Sequence, residues 1–200
     1  DGETAEMMAR TFLEVIVAPS YSPEALEILS KKKNIRLLQL EDILTKDEKA
    51  HKAKTVLGGL LIQDQDTLLL PEDGLKVVSK RQPTERELED LLFAWKVVKH
   101  TKSNGIAIAK DKCTTGVGPG QVSRIWALEN AIRQGGERIK DSVMASDAFF
   151  PFADCVEAAH KAGITAIIQP GGSIHDQDSI DAANKYNIAM IFTGMRHFKH

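Results

Sequence analysis

Apolar positions follow two rhythms along the 200-residue chain. Short apolar runs at residues 15–18, 106–109, 142–145, 164–168 and 188–192 each read as a buried strand. A weaker alternation at residues 35–40 predicts a further strand, and residues 56–63 predict an apolar strand carrying Gly58 and Gly59. Between these runs the apolar residues recur three and four apart, the helical spacing. Ala5, Met8, Ala9 and Phe12 give one helix over residues 3–12; Ala25, Ile28 and Leu29 give a second. Leu88, Leu91, Leu92, Trp95 and Val98 give the strongest one, and residues 121–133 another. Val156, Ala159 and Ala162, then Ile180, Ala183 and Tyr186, give the last two. Strand and helix alternate, so the pattern predicts a layered α/β fold with helices on both faces of the sheet.

The punctuation sharpens these limits. Ser22-Pro23 is a helix start, with Ser as cap and Pro at the first helical position. Thr84 and Glu87 have the spacing of a capping box. Lys110-Asp111-Lys112 reads as a hairpin tip. Residues 114–120, with Gly116, Gly118 and Gly120, read as a glycine-rich turn feeding the helix at 121, a place where backbone N–H groups can hold an anion. Residues 41–53 show no period and read as a surface loop or exposed helix; residues 68–78 read as irregular. The chain opens at a helix start without Met and reads as a segment of a longer polypeptide.

Composition narrows the chemistry. A net charge of −2 gives no reason to expect nucleic acid or an anionic membrane surface as partner. No apolar run approaches the roughly 20 residues that span a bilayer. Cys113 and Cys155 lie far apart, as expected of a reducing, cytoplasmic setting. The six histidines are scattered, none pairs with Cys or Glu at ligand spacing, and the zinc-deaminase pattern is missing, so zinc is not expected. What remains are polar groups at loop ends: Asn104, Arg124, Asp147, Asp154, Ser173, Arg196 and His200. With Phe149, Phe152 and Phe198 as stacking faces, they suit an anionic ligand with flat rings. They include no evident activated nucleophile or general base. A non-catalytic nucleotide- or folate-binding module, or a dimerisation domain, therefore stays open on the residues alone.

Five motifs in order point further. Lys99-His-Thr-Lys-Ser-Asn104, Gly116-Val-Gly-Pro-Gly-Gln-Val-Ser-Arg124, Ser146-Asp-Ala-Phe-Phe-Pro-Phe152, Gln169-Pro-Gly-Gly-Ser-Ile174 and Thr193-Gly-Met-Arg-His-Phe198 closely resemble the C-terminal part of the AICAR transformylase/IMP cyclohydrolase family. The resemblance implies transfer of a formyl group from 10-formyltetrahydrofolate to the 5-amino group of AICAR, within IMP biosynthesis. It implies a mixed-sheet, α-β-α unit of cytidine-deaminase-like type without zinc. Residues 84–200 would be the second such unit, and residues 1–83 the end of the first with its connection. Active sites would lie at a homodimer interface, and His200 would be the C-terminus.

Carried over by position, Asn104 is the expected catalytic residue, and Asn104, Arg124, Phe149 and Arg196 are the expected AICAR contacts. Ile125, Phe152, Asp154, Ser173 and Ile174 fall on the folate side. Val98, Thr101, Ser103 and Asp147 fall around a potassium ion. The catalytic Lys-His pair of the family belongs upstream of Asp1. Lys99-His100 is not that pair despite its spelling, so this chain alone is expected to be inactive.

Overall fold

The structure is a computed structural model and describes residues 1–43, 51–72 and 74–199. Its chain forms two compact units, residues 1–67 and 68–200. The division falls earlier than the boundary expected at 83/84. The reason is a strand within the stretch read as irregular: β5 (Lys76–Val77) joins the edge of the larger sheet.

In the first unit, α1 (Gly2–Ala9) and α2 (Pro23–Ser30) pack on two parallel strands, β1 (Val15–Ala18) and β2 (Arg36–Gln39). Ser22 caps α2, its Oγ accepting from Ala25 N at 3.2 Å. Ala5, Ile16, Ala25 and Leu29 form the small core. Helix α1 ends before Phe12, which is exposed. A separate hairpin joins β3 (His51–Val56) to β4 (Gly59–Asp64). This corrects two expectations. Residues 51–53 belong to a strand, and residues 56–63 are the turn and return of a hairpin. Gly58 turns the chain at φ +84°, and open space surrounds both glycines. The remainder of the expected 41–53 loop, residues 44–50, lies outside the described residues, as does His200.

The second unit is a six-stranded mixed sheet in the order β5-β10-β9-β8-β6-β7. Strands β8 (Val143–Ser146), β9 (Ala166–Gln169) and β10 (Ala189–Phe192) are parallel. Strands β6 (Ile106–Lys110) and β7 (Cys113–Gly118) are antiparallel additions on one side, and β5 is one on the other. Successive side chains of a strand leave on opposite faces. Ala107, Ala109, Val143, Ala145, Ile168 and Ile191 meet α3 (Glu85–His100) through Leu91, Ala94, Trp95 and Val98. Ile106, Ile108, Met144, Ile167 and Met190 meet the opposite layer. That layer contains α4 (Arg124–Gly135), α5 (Asp154–Lys161) and α6 (Asp176–Lys185). The unit is thus layered with helices on both faces, as the alternation predicts, and its sheet is mixed, as the resemblance implies.

Two local features place the rest. The expected glycine-rich turn at 114–120 is instead the edge strand β7, and α4 begins at Arg124, not at 121. Gly116 and Gly118 let α4 lie directly on that strand. A Cβ at 118 would overlap the Ala127 carbonyl oxygen and sit 2.7 Å from its carbon; one at 116 would overlap the Ala131 carbonyl oxygen. At the N-terminal ends of β9 and β10, Arg81 knots the layers together. It forms a two-pronged pair with Glu87 at 2.8 and 2.9 Å, donates to Asn187 O at 2.8 Å, and also donates to Thr165 O. Glu87 meanwhile completes the capping box with Thr84.

Candidate active site

The opposite end of the sheet carries the polar groups. Strands β8, β9 and β10 all finish there, and β6 starts there, with Ile106 paired to Ser146. Open α/β sheets bind ligands at the carboxyl ends of their strands. A cleft of about 400 Å³ opens at this edge, lined by Asn104, Arg124, Phe149, Pro151, Arg196 and Phe198, with Val122, Ser123 and Ala148. Such a volume lies in the usual range for a small-molecule site.

Each lining residue has a local reason for its place. Asn104 lies in the turn between α3 and β6, and Phe149 follows the end of β8. Arg196 is exposed in the tail after β10, with its guanidinium 4.6 Å from the centre of the Phe149 ring. Arg124 is the first residue of α4, held there because Ser123 caps the helix by accepting from Trp126 N at 3.4 Å.

Behind the cleft is a buried polar network centred on Asp147, which is fully buried. Its Oδ1 accepts from Arg124 Nη1; its Oδ2 accepts from Ser103 Oγ at 2.5 Å and Gly105 N at 3.1 Å. Arg124 Nη1 also donates to Gly105 O at 3.2 Å, and Nη2 donates to Asn104 Oδ1 at 2.9 Å. Asn104 Nδ2 donates to Gln121 O at 2.9 Å. These bonds fix the amide. Its oxygen is held by Arg124 and one of its two N–H groups by Gln121 O, which leaves the second N–H outside this network. Arg124 therefore lines the cleft with its charge balanced from behind, while Arg196 keeps its cation at the surface.

The expected folate-side residues fall outside the lining of this cleft. Phe152 is 59% exposed and Ile174 95% exposed. The Phe152 and His175 rings lie 5.6 Å apart, so the loop after β8 adjoins the turn after β9. Ser173 Oγ accepts from His175 N at 3.0 Å within that turn. Asp154 opens α5 and accepts from Cys155 N at 2.7 Å. Ile125 is half-buried against the helical layer. Gly172 brings the turn close to Arg196, whose Nη2 is 3.8 Å from where a Cβ at 172 would stand.

Of the potassium-side residues, Val98 lies in the last turn of α3, Thr101 and Ser103 in the turn before β6, and Asp147, just after β8, reaches that turn through Ser103. Thr101 N donates to Val98 O at 2.9 Å, and a Cβ on Gly105 would touch both Thr101 and the Asp147 carboxylate. Carbonyl, hydroxyl and carboxylate oxygens are the donors a hard cation takes, so the residue types fit. No cluster of three or more His, Cys, Asp or Glu side chains suited to a metal occurs among the described residues. Burial, with the Asp154 carboxylate beside it, pushes the Cys155 thiol well up, so it supplies no thiolate. No helix among the described residues is long and apolar enough to cross a membrane.

A family model described as the AICARFT/IMPCHase bienzyme matches residues 1–134. The chain belongs to the AICARFT/IMPCHase bienzyme family. Within the family, the bifunctional purine biosynthesis protein PurH of Acetivibrio thermocellus is 65% identical over 201 residues, covering 100% of this chain and 39% of that protein. PurH of Caldicellulosiruptor saccharolyticus is 60% identical over 200 residues, with the same coverage. The chain thus spans 39% of the length of these relatives. Among solved structures, Acinetobacter baumannii RibD matches 52% of this chain and 33% of its own at 19% identity and a TM-score of 0.38, a likeness too loose to bear on function.

Two residues that shape this cleft are not singled out by the motifs. Gln121, whose carbonyl oxygen orients Asn104, acts through its backbone and leaves no side-chain signal. Ser123 carries the signal of a helix cap, which places the helix start at Arg124 once it is read.

Proposed function

We propose that this chain is the C-terminal portion of an AICAR transformylase, in a polypeptide that elsewhere carries the IMP cyclohydrolase. In this reading the cleft receives AICAR. Arg196 pairs with its phosphate, Phe149 covers the flat ring, and Arg124 and Asn104 form the inner wall. The folate side is the adjoining surface of Ile125, Phe152, Asp154, Ser173 and Ile174, which takes 10-formyltetrahydrofolate. Oxygens of Val98, Thr101, Ser103 and Asp147 would hold a potassium ion, which would supply positive charge to this region.

The chemistry divides naturally. The 5-amino group of AICAR is a weak nucleophile, because its lone pair is delocalised into the ring and carboxamide. Its nitrogen attacks the formyl carbon, a C–N bond forms, and the carbonyl oxygen gains negative charge. A base takes the amine proton, and N10 of tetrahydrofolate leaves and is protonated. The base is the histidine of the upstream Lys-His pair, and the site is completed at a homodimer interface. Asn104 acts as a donor, its outward N–H directed to oxygen as charge develops. Arg196 and Phe149 hold the nucleotide in place for attack.

The observation that carries the reading is that Asn104, Arg124, Phe149 and Arg196, from four separate segments, line one cleft. The test is Asn104→Ala in the full-length bifunctional polypeptide. Turnover falls by about 100-fold, the size of losing one oxyanion donor, while the AICAR dissociation constant by calorimetry stays within about threefold. Unchanged turnover removes Asn104 from the mechanism.

A further inference from the structure

We propose that Asp147 is a positioning residue for formyl transfer: through Arg124 it holds the Asn104 amide with its oxygen inward and an N–H outward. The inference rests on the transformylase reading above. A primary amide can present either of its ends to a cleft, and the two ends have opposite hydrogen-bonding character. An acceptor turned toward a carbonyl oxygen that is gaining negative charge repels it, whereas a donor stabilises it. Something must choose between these orientations. Gln121 O, which receives Asn104 Nδ2, and Arg124 Nη2, which donates to Asn104 Oδ1, make the choice together.

Arg124 can do this only if it is itself held. Its side chain is buried, and its Nε has no hydrogen-bond partner among the described residues. Nothing at Nε anchors the guanidinium plane, so apart from the bond to Asn104 itself its orientation rests on the contacts of Nη1 with Asp147 Oδ1 and Gly105 O. Asp147 in turn is fixed by two donors of its own, Ser103 Oγ and Gly105 N, which flank Asn104 in the chain. The carboxylate thus grips the residues on both sides of Asn104 directly and its side chain through Arg124. Asp147 is fully buried and does not line the cleft, so it touches no substrate and acts through its neighbours.

An isosteric amide at 147 tests this. Asp147→Asn keeps the volume but removes the charge and turns one end of the group into a donor, which faces either Arg124 Nη1 or the Ser103 and Gly105 donors. In the full-length bifunctional polypeptide, Asp147→Asn lowers kcat for formyl transfer by about 30-fold and changes the AICAR KM by less than about threefold. The deciding measurement is a double-mutant cycle with Asn104→Ala. Once Asn104 is gone its orientation no longer matters, so Asp147→Asn then lowers kcat by less than about threefold. A full 30-fold loss in both backgrounds means that Asp147 acts independently of Asn104, and overturns the inference. So does Asp147→Asn with wild-type kcat. If Asp147→Asn does not fold, Asp147→Glu, which keeps the charge but moves it by one methylene away from its place against Arg124, is put through the same cycle, with the same outcomes deciding. Loss of turnover in Asn104→Ala alone is the separate result on which the transformylase reading stands, so the two failures are distinguishable.

Discussion

A single methyl group at position 118 tests how α4 is seated on the sheet. Gly118→Ala would put a Cβ onto the Ala127 carbonyl oxygen, 2.7 Å from its carbon and 3.2 Å from its Cα. Carbon atoms in contact prefer about 3.5–4.0 Å, so helix and strand must part by about 1 Å. No side chain can yield instead, because the obstructing atoms are backbone. The peptide at 127 belongs to a helix, where its carbonyl is committed to an i→i+4 bond. Gly116 facing Ala131 repeats the contact one helical turn on, so tilting the helix does not relieve it. Lifting α4 opens the layer where Ala127, Leu128 and Ala131 pack on Ile106 and Ile108. Overpacking costs about 1–3 kcal/mol where side chains can adjust. Backbone on backbone belongs at the top of that range, less about 0.5–1 kcal/mol regained because Ala is less free than Gly when unfolded. A net loss of about 2–2.5 kcal/mol is expected. Equilibrium urea unfolding reads it as a midpoint lowered by about 1 M, for a slope of about 2–3 kcal/mol/M. Gly59→Ala, in open space on a strand, is the control and should move the midpoint by less than about 0.2 M. Equal midpoints for Gly118→Ala and the wild type would refute the close approach of α4 and β7.

Acid should loosen the knot at the other end of the sheet. Burial alone would raise the Glu87 pKa, but hydrogen bonds to Arg81, Thr165 and the Thr84 backbone, with the Arg81 charge, outweigh it and lower it from 4.5 to about 2. A carboxyl depressed in the folded state stabilises above its unfolded value and loses that contribution as pH falls from about 4.5 toward 2. The drop corresponds to at most about 3 kcal/mol, and to clearly less after solvent screening. The difference in urea midpoint between wild type and Glu87→Gln should thus be largest near neutral pH and shrink below about pH 4; a difference independent of pH would contradict the ion pair. A second expectation concerns the 200-residue chain on its own. It should bind AICAR weakly and transfer no formyl group, and robust transfer would make the upstream histidine dispensable.

The parts of this fold that were legible in sequence are those where a residue acts alone or with near neighbours. Ser22-Pro23 and Thr84 with Glu87 announce their helices because caps are local hydrogen bonds. Strands β6, β8, β9 and β10 announce themselves because both faces are covered, which demands continuous apolar runs. Gly116 and Gly118 were ambiguous because glycine serves both turns and close approaches, and only the helix lying against them decides which. Strand β5, two residues long, has no period to read; its partner β10 makes it a strand. The hairpin at 51–64 was hidden because its turn, Leu57-Gly58, lacks the Asn-Gly type of signal. In the site, motif spelling singled out Asn104, Arg124, Phe149 and Arg196. It did not disclose that Arg124 turns its charge inward to Asp147, since that depends on side-chain directions.

The fastening and the cleft occupy opposite poles of the second unit. Arg81 and Glu87 bind the strands where β9 and β10 begin, while the cleft opens where they finish. Replacements in the tail after β10 or the loop after β8 can therefore alter what the rim accepts without unlacing the far pole. Anyone reshaping this surface to take a chosen ligand has freedom at Val122 and Pro151, and very little at Asp147.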